Sequence, residues 1–148
     1  MKNHFHLMVR MKGEPELIDL FASMGKDLTG FQNLSGLVSH QYSRLFNAYA
    51  KSFNLKYDRI GGLFNRPVKR KQITSDAYFT QCIVYIHRNP VHHGFVDSLE
   101  DWDQSSYLGI VNDNDPIVPV AEVLSWFGGK DKFIESHKSP GRFKSVFD

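Results

Sequence analysis

Residues 4–11 read His-Phe-His-Leu-Met-Val-Arg-Met, with Phe5, Leu7, Val9 and Met11 at the odd positions and His4, His6, Met8 and Arg10 at the even ones. No other stretch restricts the fold as much. Side chains of a strand alternate between its two faces, so the pattern predicts a strand with an apolar core face and both imidazoles on the opposite face. Two imidazoles on one rigid strand suit neighbouring ligands of a single divalent metal. By itself the pair is weakly specific, because seven histidines are spread over 148 residues. Amidohydrolase barrels also carry a strand-borne His-x-His, but they need about 250 residues. This chain is too short for one.

After that strand, Pro15 can sit in a first helical turn, and Leu17, Ile18 and Phe21 recur at helical spacing, so a short helix is expected from Pro15 to Met24. Leu37, Gln41, Leu45, Tyr49 and Phe53 then mark one side of a longer helix, expected to pack on the sheet. A Gly-Gly turn at Gly61–Gly62 leads into β-compatible residues and a second strand near Arg66–Ile73, where Pro67 argues for an edge or a bulge. Thr74, Ser75 and Asp76 offer caps for a helix ended by Pro90. Beyond it, residues 94–110 read as ordered loop. Asn112–Pro116 reads as a linker into a tail with helices near Ala121–Phe127 and Lys130–His137.

With 41% hydrophobic residues a chain of this length can bury one real core. Cys82 is the single cysteine, which rules out an internal disulfide and a thiolate zinc site and suits a reducing compartment. Apolar runs such as Cys82–Tyr85 fall far short of the roughly 18 residues that span a bilayer, and the N-terminus has no signal pattern, so a cytoplasmic protein is expected. The net charge is only +2, yet Lys56–Gln72 holds six Lys or Arg against the single acid Asp58. Tyr57 and Phe64 are interleaved with these cations. Such a block suits a nucleic-acid backbone, with aromatics stacking on unpaired bases. A solvated edge strand guarded by lysines is the plainer alternative.

On the helix before Pro90, Phe79, Cys82, Ile83 and Ile86 form a core stripe, while Tyr78, Tyr85 and Asn89 share its flank. Tyr85 and Asn89 are one turn apart and can point at the same place. Beside a metal they would offer an oxygen nucleophile and a further ligand. Otherwise Tyr85 is an amphipathic helix residue with its hydroxyl in water.

Four blocks in this order, MKNHFHLMV, GGLFNRPVKRKQI, YIHRNPVHHGFV and WDQSSY, resemble the single-tyrosine HUH transposases, and among them the REP-associated tyrosine transposases. The resemblance covers residues 1–108 and leaves 109–148 as a linker and helical tail. It implies an α+β, ferredoxin-like (RRM-like) nuclease domain that cuts and rejoins single-stranded DNA near hairpins. The HUH motif falls on His4, Phe5 and His6, the nucleophilic tyrosine on Tyr85, and the polar metal-holding residue one turn later on Asn89. Mg²⁺ or Mn²⁺ would be the cofactor, and Tyr85 would form a 5′-phosphotyrosine. Arg66, Lys69, Arg70 and Lys71 would bind DNA, a REP-like hairpin with a single-stranded part, in the bacterial nucleoid. No membrane is implied, and the resemblance is compatible with a homodimer. His87, His92 and His93 are expected at the surface or on phosphates.

The chain departs from the pattern at Lys2, where Pro is usual, and at Gln104, where an aromatic often stands. It also begins three residues before His4, where the family has a strand, a helix and usually another strand. About 50 residues of the domain are thus expected to be lacking. The rival expectation is a remnant that binds DNA hairpins without turnover.

Overall fold

The structure, a computed structural model, describes residues 4–25, 34–64 and 69–138. Among these residues six helices follow one another: α1 (Glu14–Ser23), α2 (Leu34–Lys56), α3 (Asp76–His92), α4 (Tyr107–Val111), α5 (Val120–Phe127) and α6 (Lys130–Lys138). Among the described residues there is no β-strand, which overturns the expected α+β, ferredoxin-like fold. Residues 4–13 and 69–74 have no regular secondary structure, so neither expected strand forms; Arg66–Val68 lie outside the described residues. The physical reason is that a period of two permits a strand but does not make one. A strand exists only where a second one completes its hydrogen-bond ladder.

The helices begin and end for local reasons. α1 has Pro15 in its first turn, where no intrahelical N–H is needed, and the Glu16 carboxylate accepts a hydrogen bond from the Gly13 N–H at 2.9 Å. At the start of α3 the Ser75 hydroxyl accepts from the Tyr78 N–H at 3.3 Å, and Asp76 sits at the positive end of the helix dipole. Pro90 does not end α3, as expected from sequence; it lies inside the helix, which runs on to His92. The stop is Gly94, whose φ of 67° is easily reached only without a Cβ, and the Phe95 N–H closes the end onto the Pro90 carbonyl at 2.9 Å. α4 occupies part of the stretch expected to be loop.

The chain divides into two compact units, one made of Met1–Val9 with Lys71–Asp148, the other of Arg10–Arg70. In the first, the α5–α6 hairpin packs on α3. Its core is Ile83, Tyr107, Ile110, Val120, Val123 and Phe133, the last fully buried. α3 is buried on several sides at once, through Cys82, Ile83, Val84, His87, Asn89 and Pro90. In the second unit Leu17 of α1 and Leu37 of α2 are buried, while most described side chains of α2 are exposed. α2 therefore does not pack on a sheet. No helix among the described residues is long and apolar enough to cross a membrane.

Candidate active site

His4 and His6 lie on a segment of the first unit without regular secondary structure, and Tyr85 and Asn89 on the helix α3 of that unit. The His6 ring meets the Tyr85 ring edge-on, with centroids 5.5 Å apart. The His4 ring meets the His93 ring in the same way at 5.8 Å, and the two segment imidazoles are 5.3 Å from each other. The segment thus runs antiparallel to α3, with His6 opposite Tyr85 and His4 opposite the helix end. Tyr85, Asn89 and His93 follow at intervals of four residues, one helical turn each, so Asn89 stands between the two points of contact.

The inward residues of the segment are even-numbered: His6 is half-buried and Met8 packs against the core of the unit, while His4 and Arg10 are exposed. Phe5, Leu7 and Val9 are 50%, 61% and 52% exposed. This reverses the expected apolar core face. Alternation separates two faces but does not say which one finds a partner, and here α3 receives the imidazoles.

Asn89 is 1% exposed, and neither its Oδ1 nor its Nδ2 has a hydrogen-bond partner among the described residues. A buried carboxamide left in this state costs about 1–3 kcal/mol, so its retention calls for a reason. Burial, then the neighbouring His4 and His93 imidazoles, hold the His6 pKa below its ordinary value. A neutral imidazole keeps the lone pair that metal ligation needs.

No three His, Cys, Asp or Glu side chains among the described residues are grouped to hold a metal ion. The set that the resemblance implies for a divalent ion is His4, His6 and the Asn89 oxygen. The donor set fits such an ion: a buried amide oxygen without a hydrogen bond and two imidazole nitrogens, which suit Mn²⁺ better than the all-oxygen preference of Mg²⁺.

His87 is not a surface residue. It is buried on another side of α3, where a chain of hydrogen bonds fixes both tautomers. His137 Nδ1 donates to the Phe133 carbonyl at 2.7 Å, so its Nε2 accepts from His87 Nδ1 at 2.9 Å, and His87 Nε2 accepts the Ser106 hydroxyl proton at 2.8 Å. Arg88 adds a hydrogen bond to the His137 carbonyl. Burial pushes the His87 pKa down to about 3, helped by His137, and that of His137 to about 4. This network ties the helix that carries Tyr85 to α6. Nothing local in the sequence pairs residues 50 apart. His93 is exposed, as expected, and its place beside His4, one turn after Asn89, was hidden by the expected end of the helix at Pro90.

The basic block is only partly described, since Arg66 lies outside the described residues. Lys69, Arg70 and Lys71 are exposed. Arg70 donates to the Ser39 hydroxyl of α2 at 3.3 Å, and Lys71 lies 5.4 Å from the Tyr78 ring in the first turn of α3.

No protein-family model matches the chain, and no solved structure does. A curated relative spans most of it: over 110 residues, 72% of this chain, it is 27% identical to a Haemophilus influenzae protein named "Putative REP-associated tyrosine transposase". The match covers 54% of that protein, so the chain spans about half of its length. The resemblance read from the four sequence blocks is thereby borne out: this chain is similar to a protein named for that transposase group.

Proposed function

We propose that this chain is a single-tyrosine transposase that cleaves and rejoins single-stranded DNA near hairpins, with Tyr85 as nucleophile. One observation carries the reading: the His4–His6 segment lies along α3 so that His6 touches Tyr85, while the buried Asn89 amide, without a hydrogen bond among the described residues, stands between the contacts. The name of the Haemophilus relative supports it.

In this reading the Tyr85 oxygen attacks a backbone phosphorus. The bond to the 3′ oxygen breaks, the 5′ phosphate stays on the tyrosine, and the phenolic proton passes to solvent while the departing 3′ oxygen takes one up. The covalent link conserves the bond energy, so a second 3′-OH can reverse the step and join strands without a nucleotide cofactor. The half-buried ring of Tyr85 is braced by His6, which limits the directions its hydroxyl can face. A divalent ion held by His4, His6 and Asn89 would polarise the scissile phosphate. Lys69, Arg70 and Lys71, with Arg66, would neutralise flanking phosphates.

The test is covalent capture. The full chain is incubated with Mn²⁺ and a labelled hairpin that carries a single-stranded flank, and the label is sought on denatured protein. Wild type and Tyr78→Phe should retain it, and Tyr85→Phe should lose it while still binding DNA. An adduct on Tyr85→Phe would move the role to another tyrosine. Hairpin binding by wild type without any adduct would instead make the chain a DNA-binding remnant.

A further inference from the structure

We infer that the aromatic face of α2 is a base-stacking platform for single-stranded DNA, made of other residues than His4, His6, Tyr85 and Asn89; the choice of DNA as ligand rests on the function proposed above. The rings form one unbroken series. Tyr42 and Phe46 lie nearly parallel with centroids 6.1 Å apart, and Tyr49 and Phe53 do so at 6.2 Å. Phe64 joins the two pairs, 5.1 Å from Phe46 and 5.9 Å from Tyr49, and Tyr57 extends the series 4.5 Å beyond Phe53. Phe64 reaches the helix because the chain turns back after α2: the Asn54 side-chain amide donates to the Gly61 carbonyl at 2.9 Å, and Gly61 has a φ of 100°.

A row of rings at helical spacing is ordinarily core, but these are not buried as a core would be. Tyr49 is 55% exposed and Tyr57 54%. Charge selects the occupant. α2 has no Asp or Glu among its 23 residues, and of its three cations Lys56 lies on the side of the rings, whereas Arg44 and Lys51 lie on the opposite side of the helix. Lys56 lies 5.4 Å from the Tyr57 ring and Arg59 5.7 Å from that of Phe53, and Arg70 reaches Ser39 on the same helix. A second copy meeting this face across a two-fold axis would set its cations against themselves, with Asp58 as the one acid between residues 34 and 64 to offset them. A polyanion that carries its own flat rings satisfies both features. Unpaired bases offer free faces for stacking, and their phosphates meet the flanking cations. Tyr49 and Tyr57, eight residues apart, are separated by about 12 Å along the axis, so a short run of nucleotides can engage both.

The experiment measures binding of a fluorescent oligo-dT strand by the full chain, with helicity checked for each variant. Tyr49→Leu/Tyr57→Leu keeps apolar area and removes the stacking faces; it should weaken binding by about five- to 150-fold per ring engaged. Tyr49→Phe/Tyr57→Phe should bind as wild type does. Lys56→Ala/Arg59→Ala/Arg70→Ala should lower the salt slope of log K by about 2. Wild-type affinity in the Leu variant would overturn the inference, as would a wild-type dimer that the Leu variant abolishes while oligo-dT affinity stays unchanged. The covalent adduct on Tyr85 is read separately. An adduct with ring-independent oligo-dT binding removes the platform alone, and ring-dependent binding without an adduct removes the transposase reading alone.

Discussion

Asn89 shows what a buried polar side chain costs when nothing bonds to it. Its amide is enclosed with neither polar atom hydrogen-bonded among the described residues, so Leu, of similar size, should be the more stable choice. Asn89→Leu is expected to raise the unfolding free energy by about 1–3 kcal/mol, measured by urea titration, and to abolish Mn²⁺-dependent adduct formation. A variant both stabilised and active would remove Asn89 from the site. The His87–His137 pair makes an opposite demand, since it is stable only when uncharged. Both pKa values lie below the ordinary 6.5, so the unfolded chain binds more protons than the folded one and stability rises with pH. The contribution is complete above about pH 6.5 and is lost as pH falls towards 4 and 3. Urea midpoints measured between pH 7.5 and pH 4 should fall more steeply for wild type than for His137→Gln, which has one titrating imidazole fewer. At this scale the sequence showed that Tyr85 and Asn89 are neighbours, because one helical turn separates them. It could not show that His87 is buried, because its partner lies in α6.

Among the elements, α4 is the one most dependent on a close approach. A Cβ at Gly109 would stand 2.7 Å from Asp115 Oδ2 and 2.8 Å from Asp115 Cβ. Asp115 is held in place, since its Oδ1 accepts from the N–H groups of Ile117 and Val118 at 2.9 and 2.8 Å. Gly109→Ala would gain helix propensity, yet it must displace that turn, so we expect a net loss of about 1–3 kcal/mol. Asp115→Gly removes both crowding atoms, so Gly109→Ala combined with it should cost less than the two changes measured singly, in the manner of a double-mutant cycle. α1, α5 and α6 lie within a residue or two of their expected positions, because helical periodicity and end signals act over only a few residues. α4 was missed because five residues are too few to display a period.

Across the whole molecule the buried side chains are unevenly shared. The unit of Met1–Val9 and Lys71–Asp148 holds the core of Ile83, Ile110, Phe133 and their neighbours, whereas Leu17 and Leu37 are the described buried side chains of the other unit. Amide exchange in α2 should therefore proceed by local opening, while α3 and α6 exchange close to the global limit, as read by hydrogen exchange followed by mass spectrometry. Uniform protection across α2 and α3 would mean that the two units unfold together.

Local order was legible in this chain wherever a signal and its effect lie within one or two turns. The helices follow from apolar residues at helical spacing, and the shared flank of Tyr85 and Asn89 from the pitch of α3. Tertiary structure decided the rest. It put His4 and His6 against α3 and left Phe5, Leu7 and Val9 outward, reversing the expected face, and it paired His87 with His137. Alternation and periodicity describe how one element divides into faces. Which face is buried depends on surfaces supplied from elsewhere in the chain, and no short-range pattern encodes them.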